Sequence, residues 1–201
     1  MYGLDGTVLN TFDMTIFPLM EILKEELDRD MTYDELMHYM SFPGPKSLEL
    51  LNIKNSPTVY ERWVKYVNAY KHGASIYYNF DELIRSLDSK IIQGVVSSKK
   101  REQYIMDIKG KKTHDCFSAI VLLEDTQKQK PDAEPLLHCA KILNVAPENC
   151  LYVGDSLSDF ESANKAKMDF AFASWGSLEP EKFKNTTYTL NYPNDLLDVI
   201  F

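Results

Sequence analysis

From residue 79 to residue 173 the chain alternates short, largely apolar runs with helix-length segments, and few folds accept that rhythm. The apolar runs cover residues 91–96, 119–123, 150–153 and 170–173. Short strands that are apolar throughout must be covered on both faces, so they belong to a parallel sheet packed between helices. The stretches 79–87, 99–108, 132–143 and 157–166 carry the helical pattern that supplies this cover. The spacing predicts an α/β class with a Rossmann-like parallel sheet core and helices on both faces. In such sheets ligands bind at the carboxyl ends of the strands.

Residues 11–78 follow a different rhythm. Apolar residues at Phe12, Ile16, Leu19, Ile22, Leu23 and Leu27 lie at helical spacing. Thr32 and Glu35 form the pattern of a capping box for a helix through Met40. Phe42-Pro43-Gly44-Pro45 breaks the chain, and Ser56-Pro57 reads as an N-cap with proline at the first helical position. A helix follows, with Val59, Trp63, Val64, Val67 and Tyr70 on its apolar side and Gly73 fitting its end. The expected organisation is therefore an α/β core of residues 1–10 and 79–201, interrupted by a small all-helical domain of residues 11–78.

Composition excludes several classes of partner. The 201 residues carry 22 Lys and Arg against 30 Asp and Glu, a net charge of −8. Such an acidic chain lacks the basic face of a nucleic-acid binder. Apolar runs are far shorter than the roughly 18 residues of a membrane span. Met1-Tyr2-Gly3-Leu4-Asp5 has neither the basic region nor the apolar core of a secretory signal. Cys116, Cys139 and Cys150 are scattered and odd in number, which fits reduced thiols in a cytoplasmic protein. His38, His72, His114 and His138 show no metal-ligand spacing. No feature bears on oligomeric state.

The residues after each strand carry the chemistry. They are Asp5-Gly6-Thr7, then Ser97-Ser98-Lys99, then Glu124-Asp125 with Lys128 and Lys130, and finally Gly154-Asp155-Ser156-Leu157-Ser158-Asp159. Taken singly, each has an ordinary explanation. Asp-Gly is a common turn and Ser97 or Ser156 a common helix cap. Taken together, carboxylates, small hydroxyls and a lysine gather at one edge of one sheet. Carboxylates suit Mg²⁺, which takes one or two protein ligands plus waters and phosphate oxygens. Hydroxyls and lysine suit phosphoryl oxygens.

This ordered set resembles the haloacid dehalogenase-like hydrolase superfamily, in its phosphoglycolate phosphatase-like branch. The family motifs are an aspartate pair leading into Gly-Thr, a Ser or Thr after the second strand, a Lys, and a Gly-Asp-Asp/Ser-x-x-Asp loop. They read here as Gly3-Leu4-Asp5-Gly6-Thr7, Ser97, Lys130 and Gly154-Asp155-Ser156-Leu157-Ser158-Asp159. Lys130-Pro131-Asp132-Ala133-Glu134-Pro135-Leu136-Leu137 is also similar to the third-motif region of that branch. The helical insert is similar to the family's helical cap.

The resemblance implies a Mg²⁺-dependent phosphatase of a small phosphorylated metabolite. It makes Asp5 the general acid/base with its carbonyl on the metal, Ser97 and Lys130 phosphoryl ligands, and Asp155 and Asp159 metal residues. Thr7 and Ser98, with Lys46 in the insert's Pro/Gly-rich break, are candidate substrate contacts. The family's first aspartate, the nucleophile, is replaced by Gly3. Only Met1 and Tyr2 precede it, against the usual five or six residues of a strand. The alternative is a catalytically inactive relative that binds a phosphorylated ligand or a protein partner. A flavodoxin-like signalling or nucleotide-binding module shares the sheet, but it leaves the insert unexplained and lacks a glycine-rich phosphate loop here.

Overall fold

The computed structural model describes residues 1–201 except Pro43 and Asn55, and the side chains of Ser41 and Ser56 are likewise outside the description. The chain divides into two compact units, Met1–Asn10 with Ile76–Phe201, and Thr11–Ser75. Two-residue strands β1 (Leu9–Asn10) and β2 (Ser75–Ile76) mark the crossings between them.

The second unit is helical: α1 (Phe12–Leu27), α2 (Tyr33–Met37), α3 (Gly44–Leu50) and α4 (Ser56–Asn68). Ile16, Leu19 and Leu23 of α1 are fully buried with Leu36, Leu48 and Trp63. The Trp63 indole N–H donates to the Thr15 carbonyl at 3.0 Å, so this large side chain is buried without an orphaned donor. The Thr32 hydroxyl accepts from the Glu35 N–H at 3.3 Å, and the Glu35 carboxylate accepts from the Thr32 N–H at 2.7 Å, which is the expected capping box. The helix it opens ends at Met37 and tightens into a 3₁₀ turn, His38–Ser41, instead of running on to Met40. In the Pro/Gly-rich segment, Pro43 lies outside the described residues and α3 already begins at Gly44. A Cβ on Gly44 would fall on the Tyr60 ring, so glycine lets α3 lie close to α4. The N-cap reading of Ser56 concerns a side chain outside the described residues. Gly73 has φ +58° but lies five residues past the end of α4.

The first unit is an α/β layer structure. Its further elements are α5 (Phe80–Leu87), β3 (Gly94–Val96), α6 (Arg101–Asp107), β4 (Ala119–Val121), α7 (Glu134–Leu143), β5 (Leu151–Gly154), α8 (Leu157–Ala166), β6 (Asp169–Ala173), β7 (Tyr188–Leu190) and α9 (Leu196–Ile200). Phe80, Leu83, Ile84 and Leu87 bury one stripe of α5. Asn79 precedes this helix in a left-handed conformation, φ 64°, and makes no side-chain cap.

All strand pairs in the sheet are parallel, β3 with β4, β5 with β6 and β6 with β7. Residues 1–3 complete it between β3 and β5: Tyr2 pairs in parallel with both Val95 and Val153. The spatial order is β4, β3, residues 1–3, β5, β6, β7. Chain order runs outward in both directions from residues 1–3. That is the topological switch point, where an open α/β sheet forms its crevice. The core under it includes Val96, Val121, Leu136, Tyr152, Phe170 and Phe172. The edge strand β7, exposed at two of its three residues, has no apolar run to announce it.

Candidate active site

Gly3 stands at the carboxyl end of the middle strand. The Tyr2 N–H donates to Gly94, the Val96 N–H to Tyr2 and the Gly3 N–H to Val153, each at 2.9 Å. Position 3 is thus held from both sides. A Cβ built there would meet Thr7 Oγ1 at 3.1 Å and Tyr152 Oη at 3.4 Å. A Cβ at position 3 therefore requires the Thr7 hydroxyl, which is bonded to Asp155, to give by a few tenths of an ångström.

The chain then turns sharply. The N–H groups of Thr7, Val8 and Leu9 all donate to the Leu4 carbonyl, at 3.1, 2.9 and 2.8 Å. Gly6 has φ +76°, and a Cβ on it would fall on the Asp155 carboxylate. Glycine is required on both counts. The close approach lets the buried Thr7 hydroxyl donate to Asp155 Oδ1 at 2.7 Å. Trp175 holds the turn from outside, its indole N–H donating to the Thr7 carbonyl at 2.9 Å. A Cβ on Gly176 would fall on the Gly6 carbonyl, so glycine is required there too.

The Gly154-to-Asp159 loop is a helix start. Ser156 caps α8 by accepting from the Asp159 N–H at 3.2 Å, and Asp159 Oδ2 accepts from the Ser156 N–H at 3.1 Å. A Cβ on Gly154 would sit 2.6 Å from the Asp159 Cβ, so glycine lets the carboxylate fold back over the strand end. Its other oxygen, Oδ1, accepts from Lys130 Nζ at 2.5 Å and from Tyr152 Oη at 3.1 Å. Lys130 also donates to Tyr152 Oη at 3.0 Å. Burial opposes both charges, but the pair reverses the outcome: Lys130 holds the Asp159 carboxyl below its usual range, and Asp159 holds the Lys130 ammonium above its own.

Asp155 is different. Its one hydrogen-bond donor among the described residues is Thr7, and it has no ion-pair partner among them. Burial first, then the neighbouring Asp159 charge, push its carboxyl well above the usual range. No group of three or more His, Cys, Asp and Glu gathers at a metal-sized site among the described residues. A hard cation here would rest on the Asp155 carboxylate with ligands from outside the protein, a donor type that suits Mg²⁺.

Ser97 is buried after β3, and its hydroxyl accepts from the Lys99 N–H at 3.1 Å. Ser98 beside it is exposed. Lys99 Nζ lies 2.9 Å from Asp5 Oδ1 and 2.5 Å from Asp107 Oδ2. Burial would lower the Lys99 pKa; the Asp5 and Asp107 carboxylates outweigh it and the net shift is upward. Within one unit, contacts join Thr7 to Asp155, Lys130 to Tyr152 and Asp159, and Asp5 to Ser97 through Lys99. Lys46 belongs to the other unit, where it is exposed and paired with Glu49 at 3.0 Å. Sequence reasoning passed over Lys99, Asp107 and Tyr152. Lys99 stood in plain view in the strand-end triplet Ser97-Ser98-Lys99. Asp107 and Tyr152 look in sequence like a helix-surface acid and a strand aromatic.

A family model described as haloacid dehalogenase-like hydrolase matches residues 1–173. The chain belongs to the haloacid dehalogenase-like hydrolases. Its relatives in that family include the pyrophosphatase PpaX of Listeria innocua, 27% identical over 100% of this chain and 94% of the relative. A crystal structure from Lactobacillus plantarum, provisionally named a phosphoglycolate phosphatase, superposes with TM-score 0.81 at 23% identity, covering 100% of this chain and 97% of the other. A subfamily IA hydrolase of the same superfamily from Geobacter sulfurreducens superposes with TM-score 0.79 at 18% identity, over 100% and 94%. At these identities the superpositions speak for the fold, which in this hydrolase is the six-stranded order built around residues 1–3.

Proposed function

We propose that this hydrolase carries the site of a Mg²⁺-dependent phosphatase for a small phosphorylated metabolite, and that Gly3 suppresses its covalent step. The observation that supports the reading is the set of contacts near the switch point: Thr7 on Asp155, Lys99 between Asp5 and Ser97, and Lys130 on Asp159. Lys130 and Ser97 bind phosphoryl oxygens, and Thr7 orients Asp155. Asp155 and the Asp5 carbonyl hold Mg²⁺, with Asp159 keeping Lys130 charged and in place behind them. When bound, Mg²⁺ supplies positive potential for the phosphate in a chain of net charge −8. The Asp5 carboxyl passes a proton to the leaving oxygen. Ser98, exposed beside Ser97, is the further substrate contact of this reading, and the buried Thr7 acts through Asp155.

The names of the relatives support a phosphate ester or pyrophosphate as ligand. No helix is long and apolar enough to cross a membrane among the described residues. The reading includes a cytoplasmic location, which the buried free thiols Cys116, Cys139 and Cys150 support. The second reading, a non-catalytic binder of a phosphorylated ligand, is favoured by one observation, the glycine at position 3.

The test is a binding screen by calorimetry with inorganic phosphate, phosphoglycolate, sugar phosphates, nucleotides and pyrophosphate, with and without Mg²⁺. Mg²⁺-dependent binding of at least one of them, lost in Lys130→Ala, is expected. Binding of none of them, in a folded protein, contradicts both readings.

A further inference from the structure

We propose that Lys99, anchored by Asp107, is a positioning residue that holds the Asp5 carboxylate toward the leaving group; the inference rests on the acid/base reading of Asp5. Lys99 joins a buried anchor to an exposed target. Its own side chain is 7% exposed and that of Asp107 9%, whereas Asp5 is 43% exposed. A ligand therefore meets Asp5 and not Lys99. Among the described residues Lys99 is the one cation within ion-pair distance of Asp5.

The lysine is fixed at every level. Its N–H donates to Ser97 Oγ at 3.1 Å, and its carbonyl accepts from the Leu123 N–H at 3.1 Å. Its ammonium sits between two carboxylates. A lysine facing one exposed carboxylate is a flexible point charge. The second carboxylate, delivered by the last residue of α6, removes that freedom. The Asp107 backbone is held in turn, since Lys111 Nζ donates to its carbonyl at 2.5 Å. A buried Lys–Asp pair is at best neutral for stability against apolar side chains of similar volume. Stability alone does not account for two buried charges arranged to meet one exposed carboxylate.

The reacting step locates the effect. In the Gly3→Asp form, an oxygen of the new carboxylate bonds to phosphorus. The phosphoester P–O bond breaks with its electron pair on the leaving oxygen, and the proton on Asp5 goes to that oxygen. A poor leaving group such as an alkoxide needs that proton; p-nitrophenolate does not.

The experiment measures kcat/KM in the Gly3→Asp background for an alkyl phosphate and for p-nitrophenyl phosphate. Lys99→Met is expected to cost about 100-fold with the alkyl ester and only a few-fold with the aryl ester. Asp107→Asn should show the same pattern more weakly, and Lys99→Arg should restore most of the alkyl-ester rate. Equal losses with both esters overturn the proposal, because general damage to the fold does not sort leaving groups. Lys99→Met/Asp107→Leu removes the buried charges together and serves if Lys99→Met alone does not fold.

A second readout needs no turnover. In the unaltered chain, the ¹³C resonance of the Asp5 carboxyl, identified by its loss in Asp5→Asn, should move in Lys99→Met and in Asp107→Asn and return in Lys99→Arg. A resonance unmoved by either change overturns the proposal. If Gly3→Asp hydrolyses neither ester yet this resonance moves as expected, the positioning stands and the phosphatase reading fails.

Discussion

Lys130 Nζ and Asp159 Oδ1 lie 2.5 Å apart, with side chains 10% and 4% exposed. Breaking a buried pair of this kind strands the remaining charge, at about 3–5 kcal/mol. Asp159→Ala is therefore expected to cost several times what an exposed pair costs. Lys46→Ala, whose partner Glu49 is exposed, serves as the comparison and should cost about 1 kcal/mol or less. Urea denaturation of the two variants checks this. Similar midpoints for both would show that the Lys130–Asp159 contact contributes little.

That pair also shows how much of the site could be read before the structure. Lys130 and Asp159 were each visible as types after a strand or at a helix start. The capping box at Ser156 explains why the carboxylate stands three residues after the serine. What spacing cannot reveal is which oxygen meets which partner. Tyr152 takes part through a hydroxyl that reaches Lys130, Asp159 and the Val96 carbonyl, yet in sequence it is one more aromatic in an apolar run. Asp107 is similar: on the pattern of α6 it is a polar residue, and its buried partner is Lys99, just ahead of that helix.

The fold was legible for a related reason. Apolar runs covered on both faces are a strong signal, and β4, β5 and β6 fall within a residue or two of them. The strand β3 is shorter than its run, which Gln93 interrupts; its buried side chain donates to the Ile84 carbonyl at 2.9 Å and accepts from Tyr2 Oη at 2.8 Å. The strand β7 depends on pairing with β6 and not on its own pattern.

The Asp155 carboxyl leads to a pH-dependent stability. Its folded-state pKa is raised above the unfolded value of about 3.9. Between those values the folded protein holds a proton that the unfolded chain has released, so stability falls as pH rises through that window. The cost is absent below the unfolded pKa and complete above the folded one. Asp155→Asn should therefore raise the melting temperature of the metal-free protein at pH 7, by about 2–4 °C for each kcal/mol relieved in a chain of this size. The gain should vanish near pH 4. Asp159 contributes with the opposite sign: its pKa is lowered, so its stabilisation is present above the unfolded value and lost as pH falls through the folded one. A gain from Asp155→Asn that is equal at pH 4 and pH 7 would contradict the account.

Mg²⁺ titration by calorimetry tests the same carboxylate as a ligand. Weak binding is expected, because position 3 contributes no carboxylate. Asp155→Ala should abolish the binding, and lowering the pH should weaken it as Asp155 takes up a proton. Equal binding in parent and Asp155→Ala would remove Asp155 from the metal site.

Gly6 links backbone to carboxylate. Its φ of +76° is strained for any other residue, at about 1–3 kcal/mol, and a Cβ would also displace Asp155. Gly6→Ala should lower the melting temperature and lose Mg²⁺ binding together. Binding retained at full strength would show that the turn does not position Asp155.

On the proposed reading, the nucleophile is the one missing part of a phosphatase site. Deleting a nucleophile from an unrelated hydrolase costs about 10⁶-fold in turnover. Position 3 is held by backbone hydrogen bonds on both sides, and a Cβ there meets only ordinary or slightly tight neighbours. The most direct measurement is Mg²⁺-dependent release of phosphate from phosphoglycolate, sugar phosphates, nucleotides and pyrophosphate by the parent chain and by Gly3→Asp. Little or no turnover by the parent is expected, and clear Mg²⁺-dependent turnover of at least one substrate by Gly3→Asp. Ordinary enzymatic rates from the parent, or a folded Gly3→Asp that remains inert toward all of them, would contradict that reading.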